Sequence, residues 1–369
     1  MFRQLCLTTW IYADMIMPEK LLLWTSSQLY GLVVTVRNRF YDLGILRSRS
    51  FNIPVICVGN ITAGGTGKTP HVLYLTEKLS ALMQVAVLSR GYLRRSKGFR
   101  PVTGTDTTAD AGDEPLLMAQ SIKQARVFVD RDRVNGINEI IRTWPSAEAV
   151  ILDDGFQHRA VKPRLNILLT DWHRIMTRDK LLPLGRLRES LSGIKRADII
   201  IVTKAPPQIT TDEMEAIRRD LTEAGAGQSI YFTTFAYDRP VPLFFGTPLR
   251  GITTETTVLL VTGIAEPKPL ADYLSGISSR VIPLSFPDHH QYTASDIGKI
   301  TSTFDAISDP DKIIITTTKD GVRLKEITNI ADHVRRALHY LPVTVQFIEN
   351  EEEFLTKVYS YAGKDRQNS

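Results

Sequence analysis

The sequence has very few cysteines for its length. Cys6 and Cys57 are the two cysteines among 369 residues. Cys6 lies close to the N-terminus, and Cys57 lies in a run that reads as a buried strand, so the two do not suit a disulfide framework. The cysteine usage therefore indicates a reducing compartment.

Long apolar runs are also missing. The most apolar stretch, residues 21–36 (LLLWTSSQLYGLVVTV), is interrupted by polar residues at positions 25–28. A membrane-spanning helix needs about 20 predominantly apolar residues, and no small-residue cleavage site of a secretory signal follows. Because Arg37 and Arg39 come next, the stretch suits either a helix lying at a membrane interface or a helix packed on the protein core.

The two ends of the chain differ from the rest. Residues 1–16 read either as a short disordered extension or as residues upstream of an alternative start at Met15 or Met17. The tail from Gly363, GKDRQNS, has the composition of a disordered segment.

A strong charge bias, internal repeats and low-complexity tracts are absent as well. The formal net charge of +5 is compatible with acidic partners such as nucleic acid, an anionic membrane or a phosphorylated substrate. The positive residues are scattered and no nucleic-acid-binding motif occurs, so we predict no nucleic-acid partner. The chain is long enough for two globular domains.

What the sequence does contain is a glycine-rich loop at residues 59–69, GNITAGGTGKT. An apolar run precedes it and a helical pattern follows from Pro70, which is the context of a phosphate-binding loop. In such a loop backbone N–H groups surround phosphate oxygens, Lys68 reaches the β- and γ-phosphates, and the Thr69 hydroxyl binds Mg²⁺. The first glycine of the usual pattern is replaced by Thr62. The predicted nucleotide-binding residues are Thr62, Ala63, Gly64, Gly65, Thr66, Gly67, Lys68 and Thr69.

Strand-like and helical segments alternate through the middle of the chain. Apolar runs occur at residues 53–58, 85–88, 125–129, 149–152, 165–170 and 197–202, and helical patterns separate most of them. This alternation predicts an α/β fold in which a P-loop NTPase-like parallel sheet is covered by helices on both faces. Ligands are then expected at the carboxyl ends of the strands.

The pattern changes near residue 231. Residues 231–237 alternate aromatic and polar side chains, and two prolines then break the pattern, which reads as an extended connector or hairpin. New strands are predicted near residues 258–263, 313–318 and 343–348. We therefore predict an N-terminal extension and helix over residues 1–50, a P-loop domain over 51–235, and a smaller α/β domain with its connector over 236–369.

Two acidic residues follow the apolar run at residues 149–152. Asp153 takes the place of the acid that helps hold Mg²⁺ in phosphate-loop enzymes, and Asp154 is expected to point elsewhere along the strand. A solvated Asp-Asp-Gly turn would have the same sequence.

Three further polar groups admit both a structural and a catalytic interpretation. Asp113 or Glu114, before Pro115, can cap a helix or act as a base near the phosphates. Residues 186–189 (RLRE) can stabilise charge on a transferring phosphate or form a surface ion pair. Residues 288–290 (DHH) can carry a proton shuttle, a weak metal site or ordinary surface histidines.

Together these motifs resemble tetraacyldisaccharide 4'-kinase, the lipid A 4'-kinase of Gram-negative bacteria. The motifs that carry the resemblance are VGNITAGGTGKTP (58–70), SRGY (89–92), GDEP (112–115), LDDGFQHR (152–159), LPLGRLRE (182–189) and FPDH (286–289). They occur in the order of the family and span most of the chain.

The resemblance implies a kinase that transfers the γ-phosphate of ATP to the 4'-hydroxyl of tetraacyldisaccharide 1-phosphate and forms lipid IVA, with Mg²⁺ as a further cofactor. It implies peripheral or monotopic association with the cytoplasmic face of the bacterial inner membrane through the helix over residues 21–36. It also implies a P-loop kinase domain joined to a smaller α/β domain by a two-stranded connector, a lipid substrate and no protein partner.

The resemblance assigns roles to individual residues. Asp113 would be the catalytic acid paired with His289 of the second domain, and together they would align or deprotonate the sugar hydroxyl. The implied metal ligands are Thr69, Asp153 and, in support, Glu189. Further candidates are Arg133, Gln157, His158 and Arg188.

Three other classes of protein share parts of this pattern. A regulatory membrane ATPase with a deviant phosphate loop would carry lysine where this chain has Ala63. A GTPase usually needs Asn/Thr-Lys-x-Asp after a late strand, and residues 203–206 (TKAP) lack the aspartate. A non-catalytic nucleotide-binding module would have no use for Asp113 paired with His289.

Overall fold

The computed structural model describes residues 17–245 and 251–363. The predicted extension over residues 1–16, with Cys6 and Met15, and the tail after Gly363 lie outside these ranges. The elements up to the connector are α1 (Met17–Asp42), β1 (Val55–Asn60), α2 (Lys68–Ser80), β2 (Val85–Ser89), β3 (Arg100–Val102), α3 (Thr108–Ala111), α4 (Asp113–Ser121), β4 (Arg126–Val129), α5 (Arg133–Thr143), β5 (Ala149–Asp153), β6 (Leu165–Asp171), β7 (Ile199–Thr203), α6 (Thr211–Glu223) and β8 (Ser229–Tyr237). The remaining elements are β9 (Val241–Pro242), β10 (Thr257–Thr262), α7 (Lys268–Ser275), β11 (Arg280–Ser285), α8 (Ala294–Asp305), β12 (Lys312–Thr317), α9 (Thr318–Leu324), α10 (Asp332–Ala337), β13 (Leu338–Leu341), β14 (Val343–Phe347) and α11 (Glu351–Tyr361).

The larger domain is built on a nine-stranded sheet with the order β14-β8-β7-β6-β1-β5-β2-β4-β3. Its interior strands are short apolar runs that are buried on both faces, as parallel strands usually are. Helices α2, α4 and α11 cover one face, and α5 and α6 cover the other. The predicted parallel sheet is therefore confirmed, with the difference that the edge strands β3 and β14 run antiparallel to their neighbours.

The smaller domain contains a five-stranded sheet with the order β11-β10-β12-β13-β9. Strands β10 to β13 are parallel, and β9 pairs antiparallel with β13. Helix α7 packs on one face, while α8 and α10 pack on the other. The second α/β unit thus has its own core.

The end of the chain departs from the predicted domain division. Residues 236–369 were assigned to the smaller domain, but β14 pairs with β8 of the larger sheet. The apolar side of α11, including Phe354 and Val358, packs in the same core as Val72 and Leu75 of α2. Residues 231–237, interpreted from the sequence as an extended connector or hairpin, form most of strand β8, which is part of the larger sheet because β7 and β14 pair with its two edges.

The topology places the carboxyl ends of the parallel strands around one cleft. In the larger sheet Val58 of β1 lies beside Asp153 of β5, so the residues that follow both strands meet. Residues that follow β2, β7 and β12 line the same cleft, which has a volume of about 2190 Å³. The described part of the smaller domain thus contributes one wall of the cleft and the larger domain the other.

Candidate active site

The glycine-rich loop wraps from β1 into α2 and lines the cleft from Gly64 to Pro70. Gly67, the residue before α2, has a φ of 81°, and a Cβ placed on it would lie 2.7 Å from Cζ of Phe235 in β8. Only glycine fits this left-handed, crowded position without strain. The Thr66 side chain accepts a hydrogen bond from Asn60 Nδ2 at 2.7 Å, and Thr203 Oγ1 donates to the Thr66 carbonyl at 3.0 Å. These hydrogen bonds anchor the loop to the ends of β1 and β7, and the other side of the loop faces the cleft.

The first two residues of the predicted nucleotide-binding set lie apart from the others. Thr62 is buried, and it pairs as an isolated bridge with Leu187. The Ala63 amide donates to the carbonyl of Arg186 at 2.6 Å, so it is not free for a phosphate. Thr62 and Ala63 do not line the cleft, in contrast to Gly64, Gly65, Thr66, Gly67, Lys68 and Thr69.

Asp153 ends β5 directly beside the loop and lies in the cleft wall. Its carboxylate accepts a hydrogen bond from Ser89 Oγ at 2.8 Å. Burial, together with the nearby charges of Asp154 and Glu114, raises the pKa of Asp153 to about 6. None of the ion pairs among the described residues includes Asp153, and a divalent cation would stabilise a buried carboxylate of this kind.

Asp154 also faces the cleft, although it was expected to point elsewhere. Its φ of 49° turns the chain sharply after β5, so the strand alternation on which that expectation depended ends at Asp153. Its carboxylate lies 3.7 Å from Lys68 Nζ and accepts from Arg188 Nη1 at 3.0 and 3.1 Å. Burial raises its pKa, but the charges of Lys68 and Arg188 outweigh burial and hold the pKa below its ordinary value.

Asp113 and His289 meet across the two domains. His289 Nδ1 donates to Asp113 Oδ2 at 3.2 Å, and Arg323 Nε donates to the same oxygen at 2.9 Å. Asp113 is almost fully buried, and burial alone would raise its pKa. The hydrogen bonds from His289 and Arg323, and the charge of Arg323, instead hold that pKa below its ordinary value. Because the ionised carboxylate can only accept, Nδ1 of His289 carries the proton and Nε2 is the unprotonated, accepting nitrogen.

The two histidines of the 288–290 loop have different surroundings. His289 has a positive φ of 58° that turns its ring toward Asp113, and it lines the cleft. His290 instead contacts Asp296 at the start of α8, with 3.0 Å between Nε2 and Oδ2. Within the described ranges no group of three or more His, Cys, Asp and Glu side chains that could hold a metal ion is present.

The helix-capping interpretation of Asp113 is wrong in detail. Gly112, with a φ of 89°, occupies the position before α4, and Asp113 is the first residue of the helix. Its carboxylate is directed to Arg323 and His289 rather than to the free N–H groups of its own helix. The acid is thus oriented by the second domain.

Glu189 does not lie with the other implied metal ligands. It is completely buried and does not line the cleft. Its two oxygens accept from Gln157 Nε2 at 2.9 Å, Arg196 Nη2 at 2.8 Å and Asn38 Nδ2 at 3.1 Å. Neutralised by Arg196, it ties α1 to the larger domain rather than presenting a free oxygen to an ion.

The four further candidates all line the cleft. Arg133, nearly fully buried, donates to the carbonyls of Asp130 and Asp153, and Arg188 pairs with Asp154 as described. Gln157 donates to the carbonyl of Asn60 at 2.6 Å. Burial, with the charge of Arg133 beside it, lowers the pKa of His158.

Sequence reasoning missed two basic residues beside the acid–histidine pair: Lys319, which lines the cleft, and Arg323, which is buried behind it. Arg323 is fully buried and pairs with Asp113 and Asp320. Lys319 Nζ lies 3.0 Å from Glu114 Oε1 and 3.3 Å from His289 Nε2. Both follow β12, so the rule that functional residues come after parallel strands would have pointed to them.

Helix α1 lies along the mouth of the larger domain. Ser27 Oγ donates to the carbonyl of Leu181 at 3.0 Å, and Tyr30 OH donates to the carbonyl of Arg188 at 2.8 Å. Tyr30 and Arg37 line the cleft, while large apolar side chains further round the helix are exposed. Across the ranges described above, none of the helices has both the length and the apolarity to span a membrane.

The arrangement combines two chemical functions in one cleft. A glycine-rich loop with Lys68, Thr69 and Asp153 can hold a polyphosphate and a hard cation. An acid–histidine pair from the opposite wall can orient or deprotonate a hydroxyl group.

Comparison with known proteins agrees with this geometry. The sequence profile of the family described as Tetraacyldisaccharide-1-P 4'-kinase matches residues 19–361. A protein from Bacteroides thetaiotaomicron named Tetraacyldisaccharide 4'-kinase is 41% identical over 360 residues, which cover 94% of each chain. A protein of the same name from Phocaeicola vulgatus is 42% identical over 353 residues, which cover 94% of this chain and 96% of that one.

A solved structure is similar as well. The crystal structure of LpxK from Aquifex aeolicus, described as an "apo" form in complex with ATP, aligns with a TM-score of 0.72 and 31% sequence identity. The alignment covers 93% of this chain and 99% of that chain. The likeness therefore includes both domains.

Proposed function

The chain belongs to the tetraacyldisaccharide 4'-kinase family and is an ATP-dependent kinase of lipid A biosynthesis, and we propose that Asp113 and His289 activate the hydroxyl group that receives the phosphate. The reaction transfers the γ-phosphate of ATP to the 4'-hydroxyl of tetraacyldisaccharide 1-phosphate. The observation that carries the proposal is the contact of 3.2 Å between Asp113 and His289 in the cleft that also contains the phosphate-binding loop.

We propose that the nucleotide half of the site consists of Gly64 to Thr69. The loop amides and Lys68 would bind the phosphates of ATP. The Thr69 hydroxyl and the Asp153 carboxylate fit Mg²⁺, which prefers one or two protein oxygens together with phosphate oxygens. When bound, the ion supplies positive charge to the phosphate oxygens. Because Glu189 is fully paired away from the cleft, we leave it out of this set.

We propose His289 as the proton acceptor and Asp113 as its positioning residue. His289 lines the cleft, whereas Asp113 lies behind it and has a lowered pKa, which makes the carboxylate a weak base. Asp113 fixes the tautomer with Nε2 unprotonated, so the acceptor hydroxyl can donate to Nε2. Phosphoryl transfer depends more on positioning and charge stabilisation than on proton removal, and the pair would supply both orientation and a proton acceptor.

We propose that the enzyme works at the cytoplasmic face of the bacterial inner membrane, held there peripherally by α1. Large apolar side chains are exposed along α1 and just after it, including Leu29, Leu32 and Val33. Exposed apolar patches of this extent indicate an interaction surface, and a tetraacylated substrate would be presented by a membrane. Arginines at the end of α1 suit anionic headgroups.

The test is transfer of radiolabelled γ-phosphate from ATP to detergent-dispersed tetraacyldisaccharide 1-phosphate. We expect Asp113→Asn and His289→Ala to lower kcat by about 10²- to 10⁴-fold, the usual contribution of a positioned proton acceptor. Asp305→Ala is the matched control, because Asp305 also pairs with a histidine but lies half exposed on the surface. Folded Asp113→Asn and His289→Ala enzymes with the rate of the wild type would overturn the assignment.

A further inference from the structure

Lys319 is a basic residue of the second domain that reaches into the active-site cleft. It lies in the first turn of α9, directly after the carboxyl end of β12. Its ammonium group donates to Glu114 Oε1 at 3.0 Å and to His289 Nε2 at 3.3 Å. The side chain is 23% exposed, so it is largely removed from water and still accessible from the cleft. Among the cleft-lining residues that the structure describes in the second domain, Lys319 is the only lysine or arginine.

The contacts of Lys319 place its charge between the two halves of the site. Its first partner, Glu114, lines the cleft on the same wall as Lys68 and Asp153 of the metal-binding side. Its second partner, His289, is the group that faces the acceptor hydroxyl. The ammonium group therefore joins Glu114, on the wall that carries the metal-binding side, to His289 on the proton-accepting side, and the phosphoryl group passes between these two sides.

The neighbouring arginine cannot perform this task. Arg323 is fully buried and its guanidinium is used by Asp113, by Asp320 and by the carbonyl of Gly263. Lys319 has a flexible stem, and its ion pair among the described residues is the partly exposed one with Glu114, so its ammonium can change partners without breaking a buried network.

We propose that Lys319 is a catalytic residue that contacts the phosphoryl group during transfer. The inference rests on the proposed function. In the step, the acceptor oxygen forms a bond to the γ-phosphorus, the bond to the bridging oxygen of ADP breaks, and the hydroxyl proton moves to Nε2 of His289. Lys319 keeps its proton and donates to an equatorial phosphoryl oxygen, where negative charge is spread in the transition state.

The contact between Lys319 and His289 gives this step an order. Nε2 cannot accept from the hydroxyl while it accepts from the ammonium group of Lys319. A phosphoryl oxygen offers that ammonium a stronger acceptor than a neutral imidazole. Binding of the nucleotide phosphates therefore draws Lys319 away and frees Nε2, so the proton acceptor becomes available when the phosphate is in place.

The experiment compares Lys319→Met, Lys319→Arg and Glu114→Gln in the full-length enzyme, with ATP, Mg²⁺ and tetraacyldisaccharide 1-phosphate. We expect Lys319→Met to lower kcat by about 10²- to 10³-fold, as removal of one transition-state donor does, with the Kd for ATP changed by less than about threefold. Lys319→Arg should recover part of the rate. Glu114→Gln should cost less than about tenfold, because the lysine charge remains. Lys268→Met, which removes an exposed ion pair of the same domain, is the control.

A purely structural role gives a different pattern. Lys319→Met and Glu114→Gln would then reduce thermal stability to the same extent and leave kcat of the folded enzyme unchanged, which would overturn the proposal. An increase in the KM values without a loss of kcat would overturn it as well. If Lys319→Met does not fold, Lys319→Arg takes its place. A kcat of Lys319→Arg below that of Lys268→Met would then support the proposal, and an equal kcat would overturn it. A separate result would contradict the proposed function: a His289→Ala enzyme with the kcat of the wild type.

Discussion

The adjacent carboxylates at the end of β5, Asp153 and Asp154, have opposite electrostatic surroundings. Asp153 is fully buried with a serine hydroxyl as its partner, and its pKa is raised to about 6. Asp154 contacts Lys68 and Arg188, which hold its pKa below the ordinary value. Ionised Asp153 thus opposes folding, whereas ionised Asp154 supports it. Such a penalty is typical of sites that are built for a ligand rather than for stability.

Asp153→Asn should stabilise the protein in the absence of nucleotide and Mg²⁺. The folded pKa of about 6 exceeds the ordinary value of 3.8, so above pH 6 the folded state holds a charge that costs about 3 kcal/mol. The increase in the free energy of unfolding of Asp153→Asn should therefore be largest at pH 7–8, shrink as the pH falls through 6, and disappear near pH 4. Chemical denaturation in EDTA at several pH values measures it.

Asp154→Asn is the matched variant for this measurement. It removes the partner of two basic side chains, so we expect a loss of stability at pH 7 rather than a gain. Asp153→Asn should also abolish phosphate transfer. A gain for Asp153→Asn that persists unchanged at pH 4 would show that ionisation is not its cause.

At the scale of single residues, the sequence predicts the position of site residues that directly follow strands. It does not predict the surroundings of site residues whose partners are distant in sequence. Lys68, Thr69 and Asp153 lie at the cleft because local strand–loop geometry puts them there. The surroundings of Glu189 depend on Asn38 and Arg196, and the motif carries no sign that these partners neutralise it. The role of Asp113 as the partner of His289 came from the family resemblance and not from spacing.

Helix α1 is the element whose surface is least explained by the fold itself. It is 26 residues long, and apolar side chains along it are more than half exposed, for example Leu29 at 64%, Leu32 at 60% and Val33 at 61%. The opposite side of the helix joins the larger domain through polar contacts such as Tyr30 with Arg188, Asn38 with Glu189 and Asp42 with Arg159. An apolar helix face that the rest of the chain leaves exposed fits a membrane interface.

Replacement of Leu32 and Val33 by glutamate should release the enzyme from membranes. Burial of each such side chain in the interface contributes about 1.5–3 kcal/mol, so the double variant should bind vesicles of phosphatidylethanolamine and phosphatidylglycerol at least about 100-fold more weakly. Flotation of the full-length protein with the vesicles measures the change. The thermal midpoint should stay near that of the wild type, because both side chains are already exposed.

Leu82→Glu serves as the control for the vesicle experiment. Leu82 is 47% exposed but lies in the turn after α2, away from α1. Its variant should bind vesicles as the wild type does. Equal binding by the double variant and the wild type would exclude this face of α1 as the membrane contact.

Elements with strong apolar runs could be predicted, and elements defined by pairing could not. Strands β1, β2 and β5 were recognised because they are buried throughout. Strands β3 and β9 have three and two residues, which is too short for a recognisable pattern. Residues 231–237 alternate like an exposed hairpin, but most of β8 is buried, because strands on both sides and helices above and below cover it.

At the scale of the whole molecule, further polar contacts join the walls of the cleft beside those that His289 and Lys319 make with Asp113 and Glu114. Arg323 pairs with Asp113, Glu326 accepts from the amide and the hydroxyl of Thr108, and Lys204 bridges Asp171 and Glu266. Closure of this kind excludes water from the reacting groups and limits hydrolysis of ATP. We propose that the two domains close on the nucleotide through these contacts.

The overall division of the chain was the hardest feature to predict. A boundary read from changes in pattern assumes that domains are continuous in sequence. Here β14 and α11 return to the larger domain after the smaller one is complete, and β8 and β14 together form the connection. That return depends on pairing between residues that are more than 100 positions apart, for which a single sequence holds no signal.

Loss of the two acidic contacts, in the double variant Glu266→Gln and Glu326→Gln, should shift the enzyme toward a more open form. Together the two contacts stabilise the closed form by about 1–3 kcal/mol, because both carboxylates are partly exposed. Their loss corresponds to about a 5- to 150-fold change in the ratio of closed to open molecules. Small-angle scattering should show a larger radius of gyration, which ATP and Mg²⁺ reverse. Glu139→Gln, which breaks a surface pair with Arg142 on α5, should scatter as the wild type does. If the double variant has the scattering curve and the kcat of the wild type, these contacts do not hold the cleft closed. The coupling between the domains would then depend on the contacts of Asp113 and Glu114 with His289, Arg323 and Lys319.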